Sequence, residues 1–278
     1  MTSSPAKSSS SMVDVFSAEV ALRDVVIVGG GCYGTFYAGQ LRRARELGKA
    51  RWRRLIVVDR DPGCRFAREM GTAPDRELAV AEWGEFFDAY LAAAAADPSG
   101  DPPDAIVPSP LMPHLMFEWL LRRARRRWPA RLVETRPVPA GPGTPYDEQA
   151  PDGTRYVSFA DWLCPVHCIE PAICPIIRAP RTWEMSEAME ELTHHLSAST
   201  AIAGPVLFEC RHRVHGVGMF DVAAVLAGDA VVAAAGHDGT PLDVLVGTIS
   251  ACHGAASLLH LGTDPSLNRL TQVAGFVG

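Results

Sequence analysis

Residues 25–41 read VVIVGGGCYGTFYAGQL, and their order decides the fold. Val25, Val26, Ile27 and Val28 are β-favouring and apolar, and they run into Gly29-Gly30-Gly31-Cys32-Tyr33-Gly34. A helical pattern follows at once, with Ala38 and Leu41 on its apolar face. In a strand–turn–helix each glycine has its own use. Gly29 permits a tight turn out of the strand, Gly31 lets backbone approach a phosphate with no Cβ in the way, and Gly34 lets the helix pack closely on the strand. The start of the helix offers unpaired N–H groups and the positive end of its dipole to an anion.

A second element supports this reading. Leu55-Ile56-Val57-Val58-Asp59 is a short buried-strand run ending in an acid. An acid at the end of the second strand, roughly 20 residues past the glycines, can hydrogen-bond a ribose hydroxyl. Gly29-x-Gly31-x-x-Gly34 with Asp59 is the dinucleotide-binding fingerprint in its strand–turn–helix context. Residues 24–62 resemble the first βαβ unit of the NAD(P)-binding Rossmann superfamily. The resemblance implies a dinucleotide on Gly29, Gly31, Gly34 and Asp59, and no particular reaction, with Cys32 and Tyr33 inside the turn as further candidate contacts. Arg60 follows Asp59 and suits a 2′-phosphate, so NAD and NADP both stay open, with a lean to NAD. The GGGxxGxxxA form also resembles the first motif of flavoproteins, and Val225-Leu-Ala-Gly228-Asp229 is similar to their second motif. FAD is therefore an alternative.

The chain has 278 residues, 47% apolar and 21% charged, enough to bury a sizeable core in one large or two modest domains. A net charge of −6 argues against general nucleic-acid affinity. The Ser-rich start predicts a disordered tail over 1–20, neither signal peptide nor anchor. The run from Met219 to Gly236 is the most apolar later stretch, but Asp221 and Asp229 interrupt it and make a membrane span a poor reading. A cytoplasmic chain without membrane insertion is expected, in which seven cysteines serve as thiols or metal ligands rather than disulfides.

Strand signals at 24–29, 54–59, 77–81, 104–108 and 131–135 alternate with helix signals at 32–47, 63–70, 83–96 and 111–127. The pattern predicts an α/β fold, with a doubly wound parallel sheet in a Rossmann-like domain over 21–135. Residues 136–157, rich in Pro and Gly, read as a linker. Residues 158–278 read as a Cys-rich loop and a smaller α/β part, with strands at 205–210 and 242–249 around an alanine-rich helix. This part either extends the sheet or caps its crevice.

The densest chemistry lies in Cys164-Pro-Val-His167-Cys168-Ile-Glu170-Pro-Ala-Ile-Cys174-Pro. Prolines stiffen such a loop, so thiolates converge on an ion with less entropy to lose. The first gap falls in the zinc-knuckle range. The Cys-Pro pairs resemble the last turn of bacterial ferredoxin loops, although those use tighter spacings. Zinc and an iron–sulfur cluster are both open, as are three plain buried thiols. Cys210 or His167 would supply a fourth ligand. His212 and His215 sit in one such turn, where an ordinary hydrogen-bonding role weighs about as much as a functional one, and Cys252-His253 sits in another, where the ordinary role of the histidine leads. His114, after Pro108-Ser109-Pro110, and His167 are the candidate acid/base groups. The arginines of 122–127 suit a helix C-terminus.

The expectation is an NAD(P)-binding oxidoreductase with a Cys-ligated centre and a small-molecule substrate, self-association left open. Two alternatives stand beside it. One is a non-enzymatic NAD(H)-sensing domain resembling regulators of potassium transport, and the other is an FAD-binding protein.

Overall fold

The computed structural model describes residues 19–97, 100–165 and 168–263. Its elements in chain order are β1 (Val20–Val28), α1 (Cys32–Glu46), β2 (Ala50–Asp59), α2 (Arg65–Glu69), β3 (Arg76–Val80), α3 (Trp83–Ala96), β4 (Ala105–Val107) and α4 (Leu115–Arg127). Then come the short strands β5 (Val133–Arg136), β6 (Tyr146–Gln149), β7 (Arg155–Ser158), β8 (Ile173–Cys174) and β9 (Ala179–Pro180). The chain continues through α5 (Met185–Ser197), β10 (Ile202–Glu209), β11 (Arg211–Val214), β12 (Val217–Asp221), α6 (Val222–Ala235), β13 (Leu242–Ile249) and β14 (His253–Leu261).

The first sheet has the order β11-β12-β4-β1-β2-β3. The strands β4, β1, β2 and β3 run parallel, whereas β12 is antiparallel to β4 and β11 to β12, so the sheet is mixed. Val25 to Val28 are buried because β1 is central and covered on both faces. One face packs on α1 and α2 through Val25, Ile27, Leu41 and Phe66. The other packs through Val26, Val28, Ile56 and Val58 on α3, α4 and α6.

The second sheet runs β10-β13-β14-β7-β6, with β5 also on β14. It covers the far side of α4 and α6, and its outer face is closed by Met185, Met189, Leu192 and Leu196 of α5.

Several sequence expectations change here. The segment 136–157 is no linker, because β6 and most of β7 pair there within the second sheet. Both strands are only four residues long, and β6 is exposed throughout, so neither prints an alternating pattern. The 131–135 strand signal belongs to the second sheet rather than the first, since β5 pairs with β14. In the C-terminal half, β11 and β12 extend the first sheet, whereas β10, β13 and β14 build a second sheet of their own. Residues 21–135 and 158–278 therefore interleave. Residues 1–18 of the expected tail, and 264–278, lie outside the described residues, while Val20 already belongs to β1. Among the described residues no helix is long and apolar enough to cross a membrane.

Candidate functional site

The carboxyl ends of β1, β2 and β4 lie along one edge of the first sheet, as parallel pairing requires. The glycine turn leaves β1 there. Gly29 has φ +85°, a conformation that glycine adopts without strain. A Cβ on Gly34 would lie 1.7 Å from the Gly29 carbonyl oxygen, so only glycine lets α1 pack against this turn. A Cβ on Gly31 would meet nothing within 4 Å, so that side of the turn is open. Gly31 caps α1 with no side-chain hydrogen bond, and the first turn of the helix holds no acid. The first N–H groups of α1 thus have no intrahelical acceptor, and no carboxylate competes for them. Cys32 and Tyr33 are exposed beside them.

Asp59 ends β2 and faces the turn. Its carboxylate accepts hydrogen bonds from the Gly30 N–H at 2.7 Å and the Asp61 N–H at 2.9 Å. Arg60 is exposed and lies 3.9 Å from Glu82.

A mostly apolar cavity of about 280 Å³ opens beyond β4. Pro108, Ser109 and Pro110 line it from the first sheet, Tyr37 from α1, and Thr248, Ser250 and His253 from the second sheet. The meeting of the sheets explains this. The pairing puts Ile249, His253, Ser158 and Glu209 at one end of the second sheet, and that end borders the crevice. His212 lines the cavity and bonds the Gly216 carbonyl through Nδ1 at 3.1 Å. His253 bonds the Ser158 hydroxyl through Nδ1 at 2.8 Å, and burial lowers its pKa, which keeps the ring neutral near pH 7.

The cysteine loop, residues 159–184, leaves the same end of the second sheet. Cys164, Cys168 and Cys174 line one cavity of about 190 Å³, and Cys252, His212 and His253 line it with them. His212 and Ser250 border both cavities. Burial raises the Cys164 thiol, and it pushes the Cys252 thiol up to about 11. Among the described residues, no three His, Cys, Asp or Glu side chains are gathered closely enough to hold a metal ion.

Other candidates are placed differently. Cys210, expected as a fourth ligand, lines the apolar crevice and a neighbouring pocket rather than the cavity of the three cysteines, and burial pushes its thiol up to about 12. His114 is buried, stacks on Phe117 and meets Thr248 Oγ1 at 3.3 Å. Burial pushes its pKa down to about 3, which unsuits it to exchange protons near pH 7. His167 lies outside the described residues. His215 serves a turn at φ 45°, its carbonyl held by Gln40. Val225–Asp229 is internal to α6, and Asp229 pairs with Arg123 and Arg127, so this segment is no nucleotide-binding loop. The same pairs, with Arg126 on Asp88, account for much of the basic run. Cys252 is the residue that sequence reading undervalued. Its signal was a Cys-His pair directly after a strand.

The chain belongs to the family described as "Uncharacterized protein, C-terminal domain", whose match spans residues 116–262. That span holds the cysteine loop, Cys252 and the second sheet, and stops short of the glycine turn. No curated protein and no solved structure matches the chain.

Proposed function

We propose that this chain is an NAD(P)-binding oxidoreductase whose dinucleotide lies across a Rossmann-like, doubly wound unit. One observation carries the reading. The Gly29–Gly34 turn joins a buried parallel strand to α1, with Asp59 ending the next strand beside it and open space at Gly31. Parallel strands in the order β3-β2-β1-β4 put the turn at their carboxyl edge, the side on which doubly wound folds take their ligands. The residues fit the group. Gly31 to Gly34 would receive the pyrophosphate, and Asp59 would meet a ribose hydroxyl by giving up one of its backbone bonds. Pro108 to Pro110 and Tyr37 would shield the crevice from water. When bound, the nicotinamide supplies hydride chemistry. His212 and His253 each have Nδ1 engaged, which leaves Nε2 as the ring nitrogen able to hold or move a proton at a substrate oxygen. Cys164, Cys168 and Cys174 would hold a metal or cluster next to this crevice.

A second reading, an NAD(H)-sensing domain without turnover, draws on Asp59. Both of its oxygens are tied to backbone, and the Gly30 carbonyl accepts from Phe66 N–H at 2.8 Å. A ligand that took Asp59 would therefore loosen the turn and shift α2.

Titration of the full chain with NADH, NADPH and FAD tests the reading. Binding of a nicotinamide dinucleotide that is lost in Gly31→Ala and Asp59→Ala supports it. Unchanged affinity in both variants would falsify it. Turnover of any hydride acceptor then separates enzyme from sensor.

A further inference from the structure

We propose that Cys164, Cys168, Cys174 and Cys252 together hold an iron–sulfur cluster, with Cys252 completing the thiolate set. The proposal rests on the reading of the cysteine loop as a metal site, and it adds the missing ligand and the kind of centre.

Three of these cysteines come from one loop and the fourth from the turn after β13, yet all four line a single cavity. The loop is fastened to that turn at its start, middle and end. Phe159 N–H donates to the Cys252 carbonyl at 2.9 Å, and Met185 N–H donates to the Ala251 carbonyl at 3.1 Å. Between them, the Glu170 carboxylate accepts from the Ser250 hydroxyl at 2.6 Å, the Ala251 N–H at 2.9 Å and the Cys252 N–H at 3.3 Å. Cys174 is pinned in its own small hairpin, where β8 pairs with β9. Cys252 is thus the hub around which the loop is built, whereas Cys210 faces the crevice.

Two of the sulfurs already accept hydrogen bonds. The Glu170 N–H donates to Cys168 Sγ at 3.4 Å, and the Trp183 indole N–H donates to Cys252 Sγ at 3.3 Å. Donors aimed at sulfur favour the thiolate and raise the reduction potential of a bound cluster.

The size of the cavity separates a cluster from one ion. Zinc bonds sulfur at about 2.3 Å, so four tetrahedral thiolates would stand roughly 4 Å from one another. No ligand set among the described residues is gathered that tightly, and the four thiols instead share the wall of a cavity of about 190 Å³. A centre of several iron and sulfide atoms carries its thiolates farther apart and fills such a space. On ligation each S–H proton is released and an S–Fe bond replaces it. His212 and Ser250 belong to both walls, so the centre would adjoin the dinucleotide crevice.

The test uses the full chain, purified without oxygen and also reconstituted with ferric iron, sulfide and a dithiol. Equal iron and acid-labile sulfide, with broad charge-transfer absorption, are expected. Cys252→Ser is expected to lose most of that absorption, as Cys164→Ser does, while Cys210→Ser keeps it. Circular dichroism of Cys252→Ser checks the fold. Should that variant unfold, Trp183→Phe decides: it removes only the N–H donor, and a lowered reduction potential at full iron content supports the proposal, whereas an unchanged potential overturns it. Full iron with an unchanged spectrum in folded Cys252→Ser overturns the role of Cys252 and leaves the loop reading standing. Stoichiometric zinc without sulfide overturns the cluster alone. Neither metal overturns both.

Discussion

Glu170 bonds Ser250 at 2.6 Å, from the middle of the cysteine loop to the turn that ends β13, across 80 positions of chain. The same carboxylate takes the N–H groups of Ala251 and Cys252, and it does so from a residue held at φ 51°. Three donors on one half-buried carboxylate are a costly set to break. Glu170→Ala is expected to lose about 2 kcal/mol, the scale for hydrogen bonds to a charged group whose partners are left unpaired. Urea unfolding reads this as a lower midpoint at unchanged slope. An unchanged midpoint would mean that the loop is not fastened there.

Gly31 and Gly34 should respond oppositely to alanine. At Gly34 the added carbon collides with the Gly29 carbonyl, and backbone must move. Gly34→Ala is expected to unfold at markedly lower temperature. At Gly31 the carbon meets open space, so Gly31→Ala should keep the parent melting temperature and lose dinucleotide affinity at least tenfold, about 1.4 kcal/mol. Melting curves and a NADH titration on both variants check the contrast.

His114 supplies a pH dependence with a definite sign. Its folded pKa of about 3 lies below the unfolded value near 6.5. The unfolded chain therefore binds the proton first as pH falls. Stability from this site is complete above pH 6.5 and is lost progressively toward pH 3, by at most about 1.4 kcal/mol per pH unit. His114→Leu is expected to remove that one-proton slope. Unfolding free energies measured at several pH values between 3 and 7 would show the parent losing stability relative to the variant toward the acid side, by up to about 1.4 kcal/mol per pH unit.

How much of this was legible follows from local against long-range cause. The glycine turn, Asp59 and the four parallel strands of the first sheet are written in contiguous residues, because a buried parallel strand and a helix start each leave a local pattern, whereas the antiparallel β11 and β12 were not legible in the sequence. The pairing of β5 and β7 on β14, which brings β6 along on the edge of β7, is not written locally either. It depends on contacts across about a hundred residues, and each strand is only four residues long. Cys252 was obscured for the same reason, since only the β13–β14 hairpin returns it to the loop of Cys164. The surroundings of His114 were not legible either, because a helix start after a proline turn can face either a crevice or a core. Here Phe117 and Thr248 enclose it.

Asp229 holds Arg123 at 2.8 Å and Arg127 at 2.9 Å, between α6 and α4. Asp229→Asn is expected to destabilise by about 2 kcal/mol, less than a fully buried pair because both arginines reach solvent. Dinucleotide affinity should not change. A loss of affinity in a variant that melts normally would return Asp229 to the nucleotide site and revive the flavin reading.

The most direct measurement of the central claim is amide hydrogen exchange on the full chain, with and without saturating NADH. The account predicts added protection at Gly31, Cys32 and Tyr33, whose amides open the α1 helix, and at the Ser250–His253 turn across the crevice. Protection confined to other elements, or none at a concentration where NADH binds, would contradict it.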